Sequence, residues 1–465
     1  MSVQKGPTQS SKHRKHREPG SAHQLEIRHV SPHSLKPYPG NARVHSKRQI
    51  RSLAASIQRF GYTQPALVSE KGEIIAGHGR VEAAKHVGLA TIPVIRIDHL
   101  SDVDRRAYIL ADNQLALKAG WDKEMLAIEL QHLVEVGFDL EIAGFEPTEV
   151  DLLLEISNET QRDPDADDIA PARSLDRPSI TKPGDVWLLG SKDRQHKLLC
   201  ADARDSAALM SLMGRDRAAM LLSDPPYNVR VSAISGKGRM RHNEFAMASG
   251  EMKEEEFIAF LSSFLSSSLP LLTKEALLYL FMDWRHLFEL QTAARSHDLS
   301  LINLCVWNKT NGGMGSLYRS KHELVPIFSQ TGRHRNNVEL GKNGRNRTNV
   351  WEYAGVNTFR ADRGSELAMH PTVKPVAMIA DAVRDITKQG DIVLDPFSGS
   401  GTTIIAAEKT GRLARAVEID PRYCDVAIRR WEAFTGKTAS LAETRETFET
   451  TAERRHQAIK GKVQA

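Results

Sequence analysis

Two short stretches of the chain carry residue types that chemistry needs. The first is Asp224-Pro225-Pro226-Tyr227, which follows the apolar run Ala219, Met220, Leu221, Leu222. Consecutive prolines fix the backbone and remove two N–H donors, so a carboxylate and a phenol sit on a rigid turn at a strand end. The second runs from Asp391 to Thr403. Its apolar Ile392, Val393 and Leu394 suit a buried strand ending in Asp395. Phe397, Ser398, Gly399, Ser400 and Gly401 make the turn, and an apolar helical run begins at Ile404. Strand, glycine turn and helix is the arrangement that lets a backbone approach a nucleotide-like ligand. A turn that merely joins strand to helix is the plain alternative. A further strand ends in Glu418, about 20 residues on, where an acidic side chain can accept from a ribose diol.

These residues resemble the amino-methylating DNA methyltransferases, which use S-adenosylmethionine. Asp224 to Tyr227 fits the family tetrapeptide [DNS]PP[YFW], and Phe397 to Gly401 fits its FxGxG cofactor turn. His370 to Pro375 fits its HPTxKP element. The catalytic stretch precedes the cofactor stretch, the permuted order of the beta group. The resemblance covers about residues 182 to 436.

That resemblance implies a specific chemistry. The lone pair of an exocyclic amine is delocalised into its ring and is a poor nucleophile. Asp224 would accept a hydrogen bond from the amine, and the Pro225 carbonyl, held rigid with Pro226, would supply a second acceptor. Tyr227 would stack on a base that has left the duplex. The methyl donor is strongly electrophilic, so positioning and electrostatics carry the rate. No cysteine nucleophile is required, in keeping with the absence of a Pro-Cys dipeptide. At the cofactor, Asp395 would face the amino end, Glu418 the ribose hydroxyls, and Phe397 would line the site beside Ser398, Gly399, Ser400 and Gly401. Asp202 is the candidate for the adenine end, although Ala201 stands where relatives carry glycine. Lys374 either holds the HPTxKP segment over the cofactor or is solvated. Glu323, in His322-Glu323, is a candidate support for the site. No metal is implied.

The elements that must position these residues read as an α/β fold. Apolar strands at Ala276–Phe281, Leu299–Trp307 and Glu323–Ser329 alternate with helical stretches at Glu254–Leu272 and Trp284–Ser296. Such alternation argues a doubly wound, Rossmann-like, mostly parallel sheet over residues 181–436. Residues 25–100 form a separate α+β unit. LKPYPGNAR, a helix ending in FGYTQP, and IIAGHGRVEAA resemble the ParB/sulfiredoxin-type N-terminal domain. The turn Gly77-His78-Gly79-Arg80 could hold a nucleotide phosphate at a helix start, and a purely structural turn is the alternative. No cysteine occupies it, which excludes sulfiredoxin chemistry. Residues 101–158 read as a helical extension, 159–180 as a linker, 1–24 as a basic tail, and 437–465 as a polar C-terminal tail.

Length and composition set outer limits. The 465 residues suffice for two or three domains, and 40% apolar residues support sizeable cores. A net charge of +5 is compatible with a polyanionic partner. Basic residues crowd two irregular stretches, Asn228–Gly250 and Asn308–Arg363. They include Arg230, Lys237, Arg239, Arg241, Lys309, Arg319, Lys321, Arg333, Arg335, Lys342, Arg345, Arg347 and Arg360, as candidates for phosphate contact. Cys200, Cys305 and Cys424 show no disulfide or metal spacing, which suits a reducing cytoplasm. No apolar run approaches the roughly 18 residues of a membrane span. The expected partner is double-stranded DNA, and a homodimer is among the oligomeric states left open. The leading function is adenine-N6 methylation, because the aspartate form of the tetrapeptide goes with adenine in this family. Cytosine-N4 methylation poses the same chemical problem and is the alternative. A nucleotide-dependent DNA-binding protein with a vestigial transferase domain is the alternative from another class, and RNA is an alternative polymer.

Overall fold

A computed structural model describes residues 25–118, 120–158, 178–192, 194–228, 250–309, 317–338, 347–353 and 374–463. The basic tail, most of the linker, most of the first basic stretch, part of the second and His370–Val373 lie outside the described residues. The chain divides into two compact units: Met1–Trp121 with Ile142–Gly144, and Asp122–Glu141 with Phe145–Ala465.

The first unit is a four-stranded sheet with helices. Its strands are β1 (Ile27–Val30), β2 (Ala66–Val68), β3 (Ile74–Ala76) and β4 (Ile92–Arg96), in the order β1-β4-β2-β3. The first helix, Lys47–Phe60, is capped by Ser46, which accepts from the Gln49 N–H at 3.1 Å, and it stops at Gly61 (φ +84°). The second, His78–Val87, starts after Gly77, whose φ of +93° favours glycine. Ala66, Ile74, Val81 and Ile92 are buried in its core. The sequence marks β2, β3 and β4 but not β1, whose side chains are mostly exposed and carry no apolar alternation.

The second unit is built on a ten-stranded sheet. Its strands are β5 (Val186–Ser191), β6 (Arg194–Cys200), β7 (Ala218–Ser223), β8 (Leu272–Leu280), β9 (Ser300–Asn308), β10 (His322–Ser329), β11 (Val350–Glu352), β12 (Ile392–Asp395), β13 (Leu413–Glu418) and β14 (Ala439–Leu441). The order is β11-β9-β10-β8-β7-β12-β13-β6-β5-β14. The central five, β8-β7-β12-β13-β6, run parallel. β10 is antiparallel to both its neighbours, and the β5–β6 hairpin and β14 close the other edge. Because helices cover parallel strands on both faces, β7, β12 and β13 read as near-continuous apolar runs. The doubly wound α/β class follows from this topology.

Two segments depart from their sequence reading in how they pack. Residues 437–465, expected as a polar tail, form β14 and the helix Phe448–Val463. Phe448 lies 5.2 Å from the Trp187 ring, and Arg455 donates to Asp185 at 3.0 Å and to the Ile180 carbonyl at 2.6 Å. A few apolar side chains and one ion pair suffice to dock an otherwise polar helix. The helices Lys123–Glu135 and Pro147–Asn158 pack on each other through Leu130, Val134, Val150 and Leu154, and they cluster with the catalytic sheet. Asp151 meets the fully buried Arg412 in a two-pronged pair at 2.7 and 3.0 Å. Asp139 takes Lys388 at 2.8 Å and Glu141 takes Arg335 at 2.8 Å.

Removing one partner of a buried pair strands the other charge. Asp151→Ala is expected to cost about 3–5 kcal/mol and to lower the thermal midpoint of the catalytic unit. An unchanged midpoint would show that this pair does not anchor the helices.

Candidate active site

Three adjacent parallel strands end in the acidic groups that the sequence singles out. β7 ends at Ser223, and Asp224 follows directly; β12 ends in Asp395 and β13 in Glu418. Leu394 pairs with Leu221, Asp395 with Ala416, and Glu418 with Cys200 of β6. The carboxyl ends of strands in an open parallel sheet form the crevice where such folds hold ligands. Asp202 sits just past the end of β6, where the Ala201 N–H donates to the Glu418 carbonyl at 3.1 Å.

The Asp224 turn is held from both sides. The Phe281 N–H donates to the Ser223 carbonyl at 2.9 Å, tying the strand end to β8. Asn228 adopts φ +52°, a conformation asparagine tolerates better than most residues. Its side chain donates to the Met252 carbonyl at 2.8 Å and accepts from the Gly250 and Met252 N–H groups at 3.1 and 3.2 Å. The two ends of the 229–249 stretch are thereby pinned together.

Around Asp224 lies a compact charged cluster. The Tyr227 hydroxyl donates to Asp224 Oδ1, and the Lys374 ammonium donates to Asp224 Oδ2. Lys374 Nζ also lies 3.3 Å from the Tyr227 hydroxyl and 3.2 Å from Glu323 Oε2. Lys309 pairs with the other Glu323 oxygen. The Lys374 side chain is 6% exposed, Glu323 11% and Asp224 19%, so of these three Asp224 is the one a substrate can reach most readily. Burial pushes the Asp224 carboxyl up, Lys374 pulls it down, and the nearby Glu323 charge raises it again; the net direction is upward. Burial would also raise Glu323, but Lys374 and Lys309 overcome it and hold the carboxyl at about 2. Burial and the two carboxylates push the Tyr227 phenol well above its usual value, so it is a donor.

The glycine turn has a different character. Asp395 Oδ1 accepts from the Phe397 N–H at 3.1 Å, and Glu418 accepts from the Gly399 N–H at 2.8 Å and the Asp420 N–H at 2.9 Å. Neither carboxylate makes an ion pair among the described residues, and burial pushes each up to about 7. Gly401 has φ +81°, and a Cβ there would come within 2.7 Å of the Ala427 Cβ. That close approach seats the Thr402–Thr410 helix against Pro421–Thr435. The buried Arg430 donates to the Ser400 carbonyl at 2.9 Å and hydroxyl at 3.0 Å, locking the turn from behind. The Ser398 hydroxyl is buried with no hydrogen-bond partner among the described residues. The Phe397 ring packs on Phe264 at 5.2 Å and Phe260 at 6.1 Å.

Several readings change at this level. Lys374 is not solvated; it is bound to Asp224 and Glu323. Tyr227 is 7% exposed and its hydroxyl is committed to the polar cluster, so it braces Asp224. Asp202 is clamped by Arg204 (2.7 to 3.2 Å), which holds its carboxyl below the usual range. Three cations read as phosphate contacts are used internally: Lys309 on Glu323, Arg335 on Glu141, and Arg347 on Asp381 and Asp385 at 3.4 and 3.1 Å. Arg230, Lys237, Arg239, Arg241, Lys342, Arg345 and Arg360 lie outside the described residues. Sequence reading missed the roles of Asn228, Arg430 and Arg204. Only Asn228 carried a signal, as the residue directly after the tetrapeptide.

The raised carboxyls give a pH signature. Asp395 and Glu418 keep protons in the folded state that the unfolded chain releases from about pH 4 upward, so their contribution to stability is present at low pH and lost as pH rises through about 7. Glu418→Gln is expected to flatten that decline in ligand-free protein, measured by denaturation between about pH 5 and 8. Equal slopes in variant and parent would refute it.

Comparison with known proteins agrees with this geometry. Residues 218–429 match the N6/N4 DNA methylase family, residues 124–183 the ParB-methyltransferase HTH domain, and residues 15–114 the ParB N-terminal domain. The ParB-like nuclease domain-containing protein YnaK of Escherichia coli (strain K12) is 50% identical over 72 residues, 16% of this chain and 83% of that protein. Type II methyltransferase M2.DpnII of Streptococcus pneumoniae is 26% identical over 243 residues, 49% of this chain and 88% of that protein. The solved structure of the cytosine-N4-specific PvuII DNA methyltransferase is similar at a TM-score of 0.40 and 15% identity, covering 56% of this chain and 94% of that one. Residues 218–429 thus form a DNA methylase domain of the N6/N4 family, with a ParB-type domain ahead of it in the chain.

Proposed function

We propose that this DNA methyltransferase transfers a methyl group from S-adenosylmethionine to the exocyclic N6 of adenine in double-stranded DNA, in the cytoplasm. The observation that carries the reading is Asp224: a braced carboxylate, more exposed than the Lys374 and Glu323 it meets, on the strand beside the Asp395 and Glu418 edge.

The cofactor is S-adenosylmethionine, and the residues at the turn fit it. Two buried carboxylates without an ion pair suit its ammonium group and its ribose hydroxyls, and the unpartnered Ser398 hydroxyl offers a further donor or acceptor. Asp395 would take the ammonium, Glu418 the ribose diol, and Phe397 an apolar wall. The backbone at Ser398, Gly399, Ser400 and Gly401 would allow close approach, and Asp202 would meet the adenine end beside Arg204. When bound, the cofactor supplies an electrophilic methyl group on a sulfonium.

The chain's own task is to make the amine nucleophilic and aim it. Asp224 accepts one amine proton in a hydrogen bond and the Pro225 carbonyl accepts the other, which draws the nitrogen toward tetrahedral geometry. The proline pair keeps both acceptors from relaxing, so little reorganisation remains at the moment of transfer. Tyr227 orients Asp224 by donating to its inner oxygen, and its ring is the candidate surface for the base to stack on. The target base leaves the duplex to reach this site, since its amine is buried within the stack. The aspartate form of the tetrapeptide favours adenine; cytosine-N4 would use the same acceptors.

In the N-terminal unit, the Arg80 side chain donates to Gln64 beside the Gly77 turn, and its Nε is buried with no partner among the described residues. That arrangement supports a nucleotide phosphate at Gly77–Arg80, and the helices within 124–183 would contribute DNA contacts.

Labelled S-adenosylmethionine and unmethylated genomic DNA, followed by nucleoside mass spectrometry, test the assignment. N6-methyladenine is expected; N4-methylcytosine would select the alternative, and methylation confined to RNA would overturn the DNA reading. Asp224→Ala is expected to abolish transfer, a loss of at least about a hundredfold in kcat, with cofactor affinity nearly unchanged. Retained activity would remove Asp224 from the mechanism. Arg80→Ala is expected to leave methylation of short DNA intact, and loss in a folded variant would make the N-terminal unit part of catalysis.

A further inference from the structure

We propose that Lys374 is a positioning residue: it holds Asp224 ionised and aimed before substrate arrives, and it shifts onto Glu323 when a base amine takes its place at Asp224. The proposal deepens the amine-methylation reading and its second half rests on it.

The geometry provides both positions at once. Lys374 Nζ touches Asp224 Oδ2 and stands 3.2 Å from Glu323 Oε2, so the transfer needs rotation of the side chain end rather than movement of the backbone. The backbone is in fact anchored. Lys374 precedes Pro375, which opens the Val376–Ile386 helix, and Val376, Met378, Ile379, Ala380, Ala382 and Val383 on that helix are all buried. The ammonium travels over the rings of Phe281 at 5.0 Å and Tyr227 at 5.7 Å, which stabilise a cation between its two carboxylates.

Competition at Asp224 follows from donor counting. Tyr227 donates to Oδ1 and Lys374 to Oδ2. An incoming amine that is to donate to Oδ2 of this carboxylate meets Lys374 there. Lys374 therefore occupies, in the absence of substrate, the place of the substrate's own N–H. The need for such a stand-in is electrostatic. Asp224 faces Glu323 and Asp395, both acidic, and it is buried; Lys374 is a cation that bonds to it and pulls its carboxyl down. Glu323 is served by Lys309 as well, so it stays ionised whichever carboxylate Lys374 favours. The second lysine makes the exchange electrostatically neutral at Glu323 and leaves Asp224 as the group whose ionisation depends on Lys374.

The test uses the full chain with three variants: Lys374→Met, Lys374→Arg and Glu323→Gln. Cofactor binding by calorimetry comes first and is expected to match the parent in all three. In Lys374→Met the acid limb of kcat should move up by about one pH unit or more, which is about a tenfold loss or more on that limb, shrinking as pH rises. Lys374→Arg should restore the parental midpoint, because it returns the charge. In Glu323→Gln the lysine has one carboxylate left and holds Asp224 more tightly, so KM for DNA should rise several-fold with kcat less affected. A Lys374→Met variant that folds and binds cofactor but loses activity equally at every pH would reduce Lys374 to a packing role and overturn the proposal. So would parental activity and pH profile. A parent enzyme that methylates no base would remove the amine-exchange half together with the assigned reaction. The ionisation half would still be decided by infrared difference spectra of the Asp224 carboxyl, subtracted with Asp224→Asn: an unshifted titration in Lys374→Met would refute it.

Discussion

Carboxylates gathered at one edge of a parallel sheet repel one another, and the catalytic unit is arranged to contain that repulsion. Burial raises Asp395 and Glu418 most, and the neighbouring charges add to it, Asp224 on Asp395 and then Asp420 and Asp395 on Glu418, because the register of β7, β12 and β13 gathers them at one edge. The protein meets the charge in two ways. At the Asp224 end it brings in lysines, with Lys374 and Lys309 balancing Asp224 and Glu323. At the glycine turn it brings in backbone N–H groups and, at Asp395, the Thr403 side chain, and burial still pushes both carboxyls up to about 7. The difference divides the site. On the proposed function, the neutralised end would keep an acceptor ready for a neutral amine, and the end without ion pairs would suit a ligand that carries positive charge, as S-adenosylmethionine does.

Containing charge works only if the groups are held still, and the rigid parts of the unit do that. Asn228 closes the base of the 229–249 stretch, so the tetrapeptide is fixed at both its ends whatever that stretch does. Arg430 reaches across from the following helix to the Ser400 carbonyl, and Gly401 allows that helix to lie against the turn. A side chain at position 401 would push Ala427 away and open the gap that Arg430 spans. The positions of the cofactor-side carboxylates thus depend on contacts made on the far side of the turn.

What was legible in the sequence follows the range of the interactions involved. The tetrapeptide, the glycine turn and the acidic strand ends are local signals, since each is a strand end followed by a turn, and each appears where the sequence places it. The central strands were legible because burial on both faces makes them continuously apolar. The ion pairs were not. Lys374 lies 150 residues from Asp224 and Lys309 is 14 residues from Glu323, and a basic residue in a basic stretch gives no sign of whether it faces solvent or a buried carboxylate. Arg335 and Arg347 were misread for the same reason. The docking of the Phe448–Val463 helix escaped notice because its buried apolar side chains, Phe448 and Ala452, are few in a polar run, and the facing Trp187 makes Phe448 count.

The helices from Lys123 to Asn158 bear on where the catalytic unit begins. Read along the chain they are a helical extension between the N-terminal domain and a linker rich in Asp, Pro and Arg. Packing joins them to the transferase instead, through Arg412, Lys388 and Arg335. The match to the ParB-methyltransferase HTH domain begins at residue 124, close to the unit boundary at Asp122. A transferase cut at residue 181 would retain the Arg412 guanidinium in a buried site without its carboxylate, held only by neutral groups, the Thr387 hydroxyl and the Thr387 and Thr410 carbonyls. Desolvating a guanidinium without a counter-charge is unfavourable, so the smallest self-sufficient catalytic body includes these helices. Arg412 directly precedes β13, and β13 ends in Glu418. One short buried strand therefore has the helical segment's anchor at its start and a cofactor-side carboxylate at its end, which makes the helices part of the scaffold that positions the site.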